Sequence, residues 1–143
     1  VTYQAELAAI ETRFLDNWSA TPVAMGSDGP VIDPTSKAIV AQPDDSSWCR
    51  LVVRGAREQQ ASLGGAGTKQ FRNFGLVMIQ IYTPMRSGHA AGRVLADTAA
   101  AIFRAQAFSG ITCRAASVIE LGKIDGGWNQ TNVDIPYFRD AYL

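Results

Sequence analysis

The 143-residue chain has one histidine, two cysteines and no excess of charge of either sign. His89 is the one imidazole a Ser/His/Asp or Cys/His catalytic unit would have to use, and no GxSxG surrounds any serine. Ser87, close by, reads better as a helix cap. Cys49 and Cys113 stand far apart, with no CxxC and no Cys/His cluster, which argues against a zinc site. Each lies in an apolar, strand-like run and reads as a buried reduced thiol; a disulfide between them stays open. Lys plus Arg and Asp plus Glu number 13 each, so the basic excess of a dedicated nucleic-acid binder is missing from the total. A local basic patch stays open. A net charge of zero also does little to keep copies apart, which suits a protein that associates. No apolar run approaches the ~20 residues of a transmembrane helix. The opening VTYQAELAAIETRF lacks the basic start and long apolar stretch of a signal peptide. The chain is expected to be made and used in a cytoplasm, with an initiator Met removed before Val1.

What is present is core material. Hydrophobic residues make up 47% and charged residues 18%, enough for one well-packed domain over residues 1–143 and too little charge for a disordered chain. Thr2 is placed to cap a helix running to about Trp18, with Leu7, Ile10, Phe14 and Trp18 on one face and Glu6, Glu11 and Asp16 mostly elsewhere. Residues 19–47 hold four prolines and two glycines and read as an irregular excursion, with short extended pieces near Val23–Met25 and Ala38–Ala41. Trp48 to Arg54 alternates as a strand, Cys49, Leu51 and Val53 against Arg50, Val52 and Arg54, and it can run on toward Gln60. ASLGGAGTKQFRN follows as a flexible hairpin tip, the arm covering residues 57–72. Its GGAGTK fails as a phosphate loop, because Thr68 precedes Lys69 and a strand, not a helix, comes next.

The return strand Phe74–Thr83 is apolar on both faces: Leu76, Met78 and Tyr82 on one, Val77, Ile79 and Ile81 on the other. A sheet wet on one side alternates apolar with polar. Both faces of this strand therefore ask for a cover, from helices on one side and from the rest of the chain or a neighbouring subunit on the other. Pro84 ends it. Ser87 is expected to cap a helix from Gly88 to about Ala105, with a stripe of Ala91, Val94, Leu95, Thr98 and Ile102. Thr112–Leu121 and Trp128–Phe138 read as strands around a Gly126-Gly127 turn. The order predicts an α+β fold: a mainly antiparallel sheet, two helices on one face, and a long β-hairpin arm.

The carboxylates Asp44, Asp45, Glu120, Asp125 and Asp134 are scattered, and Asp44-Asp45 reads as a solvated turn. Arg50, Arg54, Arg57, Lys69 and Arg72 all fall on the hairpin, which makes one face and its tip positive. They serve either as edge charges that discourage aggregation or as a contact with an acidic partner or passing DNA. Trp48 and Trp128, each at a strand start, read first as core anchors and second as interface anchors.

QASLGGAGTKQFRNFGLVMIQIYTP (Gln60–Pro84) and DGGWNQTNVDIPYFRD (Asp125–Asp140), with an alanine-rich helix between them and a short amphipathic helix in front, resemble the tail terminator (tail-completion) proteins of tailed bacteriophages. The similarity covers nearly the whole chain. The ASLG-glycine hairpin and the GW-x-Q-x-N-V-x-I-P ending carry most of it, and Thr21–Ser47 matches loosely. The resemblance implies a structural virion subunit, assembled in the host cytoplasm, that forms a ring, usually a hexamer. The ring sits at the head-proximal end of the tail tube, stops tube growth and docks to the head connector or head-closure protein. DNA passes through its channel without sequence-specific binding. The family implies no enzymatic activity, no catalytic or metal-binding residue and no cofactor. Candidate assembly-interface residues are Arg54, Arg57, Gln60, Leu63, Gly64, Gly65, Gly67, Lys69 and Arg72 on the hairpin, with Trp128. Two alternatives stand beside this reading. One is another phage neck or tail component, a head-closure or tube-like protein. The other is a small host ligand-binding or enzyme domain, which would need a pocket of convergent polar groups.

Overall fold

In the computed structural model, which describes residues 2–143, the Thr2 hydroxyl accepts a hydrogen bond from the Ala5 amide at 3.1 Å and opens helix α1 (Tyr3–Asn17). This is the expected cap: it satisfies one of the free amides of the first turn. Ile10, Phe14 and Trp18 are buried as the spacing predicts, whereas Leu7 is only half-buried and Glu6 is buried with them. The Pro-rich excursion contributes β1 (Val23–Met25) where expected and β2 at Val31–Ile32. The extended piece expected at Ala38–Ala41 reduces to one bridge, Ile39 to Ile32. An Asp33 turn takes its place: the carboxylate accepts from the Thr35 amide at 2.8 Å, and the Asp33 carbonyl accepts from the Lys37 amide at 2.8 Å.

β3 (Trp48–Gln60) and β4 (Gln70–Pro84) form the long hairpin, and β8 (Trp128–Tyr142) lies along the other side of β4 over its whole length. The sheet order is β2-β1-β3-β4-β8-β6-β5, with β5 at Ala107–Phe108 and β6 at Ile111–Cys113; β7 (Ser117–Ile124) also pairs with β8. β1 runs parallel to β3, and the other pairs among the described residues are antiparallel.

The single strand expected over Thr112–Leu121 is two strands, β6 and β7, and Pro136 supplies the reason. The Pro136 carbonyl accepts from the Arg114 amide at 2.8 Å, so this residue faces the β6–β7 side of β8. Proline has no N–H to return the bond, and the ladder breaks there. Pairing resumes at Ser117 opposite Asp134, while on the other side of β8 the register with β4 runs unbroken through Leu76 and Pro136.

Helix α2 (Gly88–Phe103) begins after a 3₁₀ turn at Met85–Ser87. Ser87 does not cap it through its side chain, since it already has helical φ and ψ of −76° and −14° as the last residue of that turn. Of the stripe expected at Ala91, Val94, Leu95, Thr98 and Ile102, Ile102 is buried and Leu95 packs half-buried against the core, but Val94 and Thr98 are exposed. The buried face is Gly92, Ala96, Ala99, Ala100, Ile102 and Phe103, and Val94 is 64% exposed. Close approach sets this choice: a Cβ on Gly92 would lie 2.9 Å from the Thr131 hydroxyl of β8. The sheet therefore takes the small side chains and turns the bulkier Val94 outward.

Both helices lie on one face of the sheet. Ile10, Phe14 and Trp18 of the front helix region join Ala96, Ala99, Ala100 and Phe103 against Val77, Ile79, Ile81, Val133 and Ile135. Phe14 stacks on Trp18 at 5.2 Å and on Phe103 at 6.2 Å between ring centroids, fixing the two helices to each other. The fold is α+β with a mainly antiparallel sheet, as the element order predicts.

Candidate assembly surface

Alternation along β4 defines two faces. Val77, Ile79 and Ile81 are fully buried beneath the helices, while Phe74, Leu76, Met78, Gln80 and Tyr82 face the other way and are only half-buried. The register carries this second face across the sheet: Val52 beside Met78 and Asp134, Arg54 beside Leu76 and Pro136, and Arg57 beside Phe74 and Phe138. The helices pack on the opposite side, so this face is left without a second layer among the described residues. β7 adds Ile119 to this face, 46% exposed beside Asn132, whereas Val118, 44% exposed, pairs with the inward Val133 and lies on the helix side. Sequence reading did not mark β7, because its accessible residues lie within a run that looks like buried strand.

One end of the open face is aromatic. Trp48 stacks on Tyr82 at 4.3 Å and meets Trp128 edge-on at 6.3 Å. Trp48 is buried, 5% exposed, as the core reading expects, but on the side away from the helices, because Cys49 and Leu51 take the inward positions; Trp128 is only half-buried. The other end is layered with arginine: Arg57 lies over Phe74 at 5.2 Å, and Arg72 and Arg114 lie over Phe138 at 4.2 and 5.0 Å.

The hairpin cations do not form the uniform positive face expected of them. Arg50 donates to the Gly26 and Ser27 carbonyls at 2.8 and 2.9 Å and so ties down the β1–β2 turn. Arg72 grips Asp140 with two bonds, 2.7 and 2.9 Å, and this pairing holds the Asp140 carboxyl below its ordinary range. Arg54 and Arg57 remain exposed, with Glu58 directly after Arg57. The Lys69 backbone pairs in both directions with Leu143, at 3.1 and 2.9 Å, so the chain's last strand forms a third strand of the arm.

The remaining candidates gather at the tip. Gln60 closes β3 and donates to the Ser62 carbonyl at 3.1 Å, and the Gly65 carbonyl accepts from the Thr68 hydroxyl at 2.8 Å. Gly67 has φ +83°, a conformation that favours glycine, and a Cβ on Gly64 would come within 2.8 Å of the Thr68 hydroxyl. Leu63 is 93% exposed. Trp128 lies about a strand length from this tip, opposite Pro84, so the fold does not bring it together with the hairpin candidates.

Two buried side-chain atoms among the described residues lack a hydrogen-bond partner, Trp48 Nε1 and Asp134 Oδ1, and both belong to the open face. Burial pushes the Asp134 carboxyl above its ordinary range. The buried network under the helices, in contrast, is satisfied. Glu6 accepts from the Tyr137 hydroxyl at 2.9 Å and from Arg139 Nε at 2.7 Å. A groove of about 220 Å³ between Tyr3, Gly55, Arg57 and Phe74 reaches Glu6, whose carboxylate is already engaged.

Cys49 and Cys113 are both buried and free, their thiols pushed up to about 12 and about 11 by burial. His89 is exposed at the start of α2. Among the described residues no three His, Cys, Asp or Glu side chains are grouped to hold a metal ion, and no helix is long and apolar enough to cross a membrane. The GGAGTK segment joins two strands, and no helix follows it.

The open-faced sheet with two helices on one side is a fold shared with proteins of known structure. Eleven chains of solved structures match this one. One of them, from a protein that carries no functional name, is 19% identical, covers 99% of each chain and superposes with a TM-score of 0.64. At that identity the likeness shows the fold alone. No protein-family model matches the chain, and no curated protein does.

Proposed function

We propose that the chain is a non-enzymatic structural subunit that assembles into a ring on the head-proximal end of a phage tail tube. There it ends tube polymerisation and offers the docking surface for the head connector. The uncovered sheet face carries this reading. A strand with apolar residues on both sides needs two covers, and the helices supply one. Half-buried Leu76, Met78, Tyr82 and Trp128 form a surface of the kind that marks protein contacts. The arm gives a second contact element, since its β3 side from Arg54 to Gln60 is an exposed edge. The tail terminator resemblance supports a subunit of the virion, with copies of itself, the tube protein and the head connector as partners. DNA would cross the ring's channel without sequence-specific contacts, and the ring needs no cofactor.

Light scattering with electron microscopy tests this, on the purified protein alone and mixed with tail tubes. Rings of one size at tube ends, with tubes of fixed length, are the expected result. A protein that neither forms rings nor binds tube ends at any concentration is not a terminator. In a phage lacking the chain, overlong or undocked tails support the terminator role. Normal tails that leak DNA point to a head-closure protein instead.

A further inference from the structure

Native structures leave few buried polar atoms unpaired, and each needs an explanation. Here the two that are unpaired among the described residues share the face that lacks a second layer. Asp134 Oδ1 needs a donor and Trp48 Nε1 needs an acceptor. Asp134 stands beside Met78 on one side and Ser117 on the other, with Leu76 diagonal to it; Val52 beyond Met78 is already buried, so Leu76 and Met78 give the accessible apolar surface. An occupant that fits carries an apolar side chain, a cation close to it and free backbone carbonyls.

The arm tip has this composition. In residues 61–69, ASLGGAGTK, Leu63 is the one large apolar side chain and Lys69 the one ionisable group. Leu63 is 93% exposed, the Lys69 ammonium has no hydrogen-bond or ion-pair partner among the described residues, and three glycines leave the backbone accessible. The tip cannot serve its own chain. Asp134 pairs with Met78, which lies about 25 Å along β4 from Gln70 at roughly 3.3 Å per residue. β3 and β8 pair with β4 on both sides over that distance, which keeps the tip at the far end.

We infer that the arm tip of one copy lies on the uncovered sheet face of a neighbouring copy, Leu63 against Leu76 and Met78, and Lys69 at Asp134. This rests on the ring reading above and assigns its subunit contact. Each subunit then gives an arm on one side and receives one on the other. Such a heterologous contact closes into a ring when the rotation permits. The contact supplies part of the roughly 800 Å² per partner that a specific interface buries.

Disulfide trapping tests the inference. The Leu63→Cys, Met78→Cys double variant, oxidised in assembled material, is expected to give covalent multimers up to the ring size. Each single variant is expected to stay at monomer size, because Cys49 and Cys113 are buried. Rings that form without the cross-link overturn the arm placement and leave the ring reading standing. A cross-link to the tube protein alone overturns the choice of a second copy as occupant. Absence of rings and tube-end binding overturns both readings. Charge exchange gives an independent measurement. Lys69→Asp and Asp134→Lys are each expected to raise the concentration of half-assembly by at least about tenfold, and the pair together to restore it. Circular dichroism melts confirm that each variant is folded. Assembly unaffected by Lys69→Asp in a folded protein overturns the contact.

Discussion

Glu6 and Tyr137 meet at 2.9 Å although 131 positions separate them, joining the first turn of α1 to the far half of β8. Arg139 completes the set at 2.7 Å from the other carboxylate oxygen, and all three residues are at least 94% buried. This is the polar contact that fixes the front helix over the sheet. Removing one partner of a buried ion pair typically costs about 3–5 kcal/mol, because the remaining charge loses its compensation. Glu6→Ala is therefore expected to lower stability by about that amount in urea denaturation. Tyr137→Phe removes one donor from a buried carboxylate and is expected to cost about 1–3 kcal/mol.

The same phenol gives a pH signature. Burial, then the Glu6 hydrogen bond, raises the Tyr137 pKa above its ordinary value of 10.0. Below that value the folded and unfolded chains hold the same proton and the contribution is intact. Above it the unfolded chain ionises first, so stability falls as pH rises. Cys49 and Cys113 act in the same direction from about pH 9, since burial raises both thiols. Denaturation midpoints measured between pH 8 and 11 are expected to decline. Tyr137→Phe is expected to flatten the part of the decline above about pH 10 and leave the thiol part.

Tyr137 also explains Gly75. A Cβ at position 75 would lie 2.3 Å from the Tyr137 hydroxyl and ring carbon, too close for any rotamer adjustment while Glu6 holds that hydroxyl. Gly75→Ala is expected to cost at least about 1–3 kcal/mol through overpacking, read as a lowered melting temperature. Gly67→Ala at the arm tip meets no atom within 4 Å, so its cost is limited to the strain of its positive φ.

The two-faced strand was legible because its pattern is local: alternate residues of Phe74–Thr83 are apolar on both sides, and no distant partner is needed to see it. The cap at Thr2, the β3–β4 hairpin and the sheet's last strand were legible for the same reason. Three features were not. Glu6 looks like a solvent-facing charge until a Tyr and an Arg more than a hundred residues away are brought to it. Part of the α2 stripe was misplaced because an alanine-rich helix lets several faces pass as apolar, and the sheet selects by size, which a hydrophobicity count ignores. The third strand of the arm was hidden by its charges: in FRDAY, Arg139 turns inward to Glu6 and Asp140 pairs across the strand with Arg72. Of the candidate interface residues, Arg72 proved internally paired. The open face's Asp134 and the exposed residues of β7 went unmarked, because their significance depends on which side the helices take.

Shortening the arm separates its role from that of the fold. The Ala61 amide donates to the Gln70 carbonyl at 2.7 Å, closing the last rung before the tip. Replacing residues 62–69 by Asn-Gly keeps that rung and uses a two-residue turn suited to antiparallel strands. The lost contacts are the Lys69–Leu143 pair, the Ser62 hydroxyl bond to the Gln70 amide, the Gln60 bond to the Ser62 carbonyl and the Thr68–Gly65 bonds, all at the exposed end of the ribbon. The melting temperature is expected to stay close to that of the full chain while assembly weakens. Tubes capped at normal length by the shortened protein would remove the arm from the assembly mechanism.

Leu76 and Val77 are neighbours in β4 on opposite faces, so truncating each asks which side of the sheet serves which purpose. Val77 is fully buried under the helices, and Val77→Ala leaves a void among Ile79, Ile135 and the helix side chains. Its cost is expected to be about 1–3 kcal/mol in folding stability, from lost burial plus the cavity. Leu76 is half-buried on the open face, between Arg54 and Pro136. Leu76→Ser removes apolar surface that water already reaches in the isolated chain, so its folding cost is expected to stay below about 1 kcal/mol. If that face is covered only on assembly, the hydrophobic loss appears there instead, as a rise in the concentration of half-assembly. Denaturation and light scattering on the two variants then give opposite patterns. Equal effects of both variants on folding, with assembly untouched by Leu76→Ser, would mean that the second face is not buried by a partner.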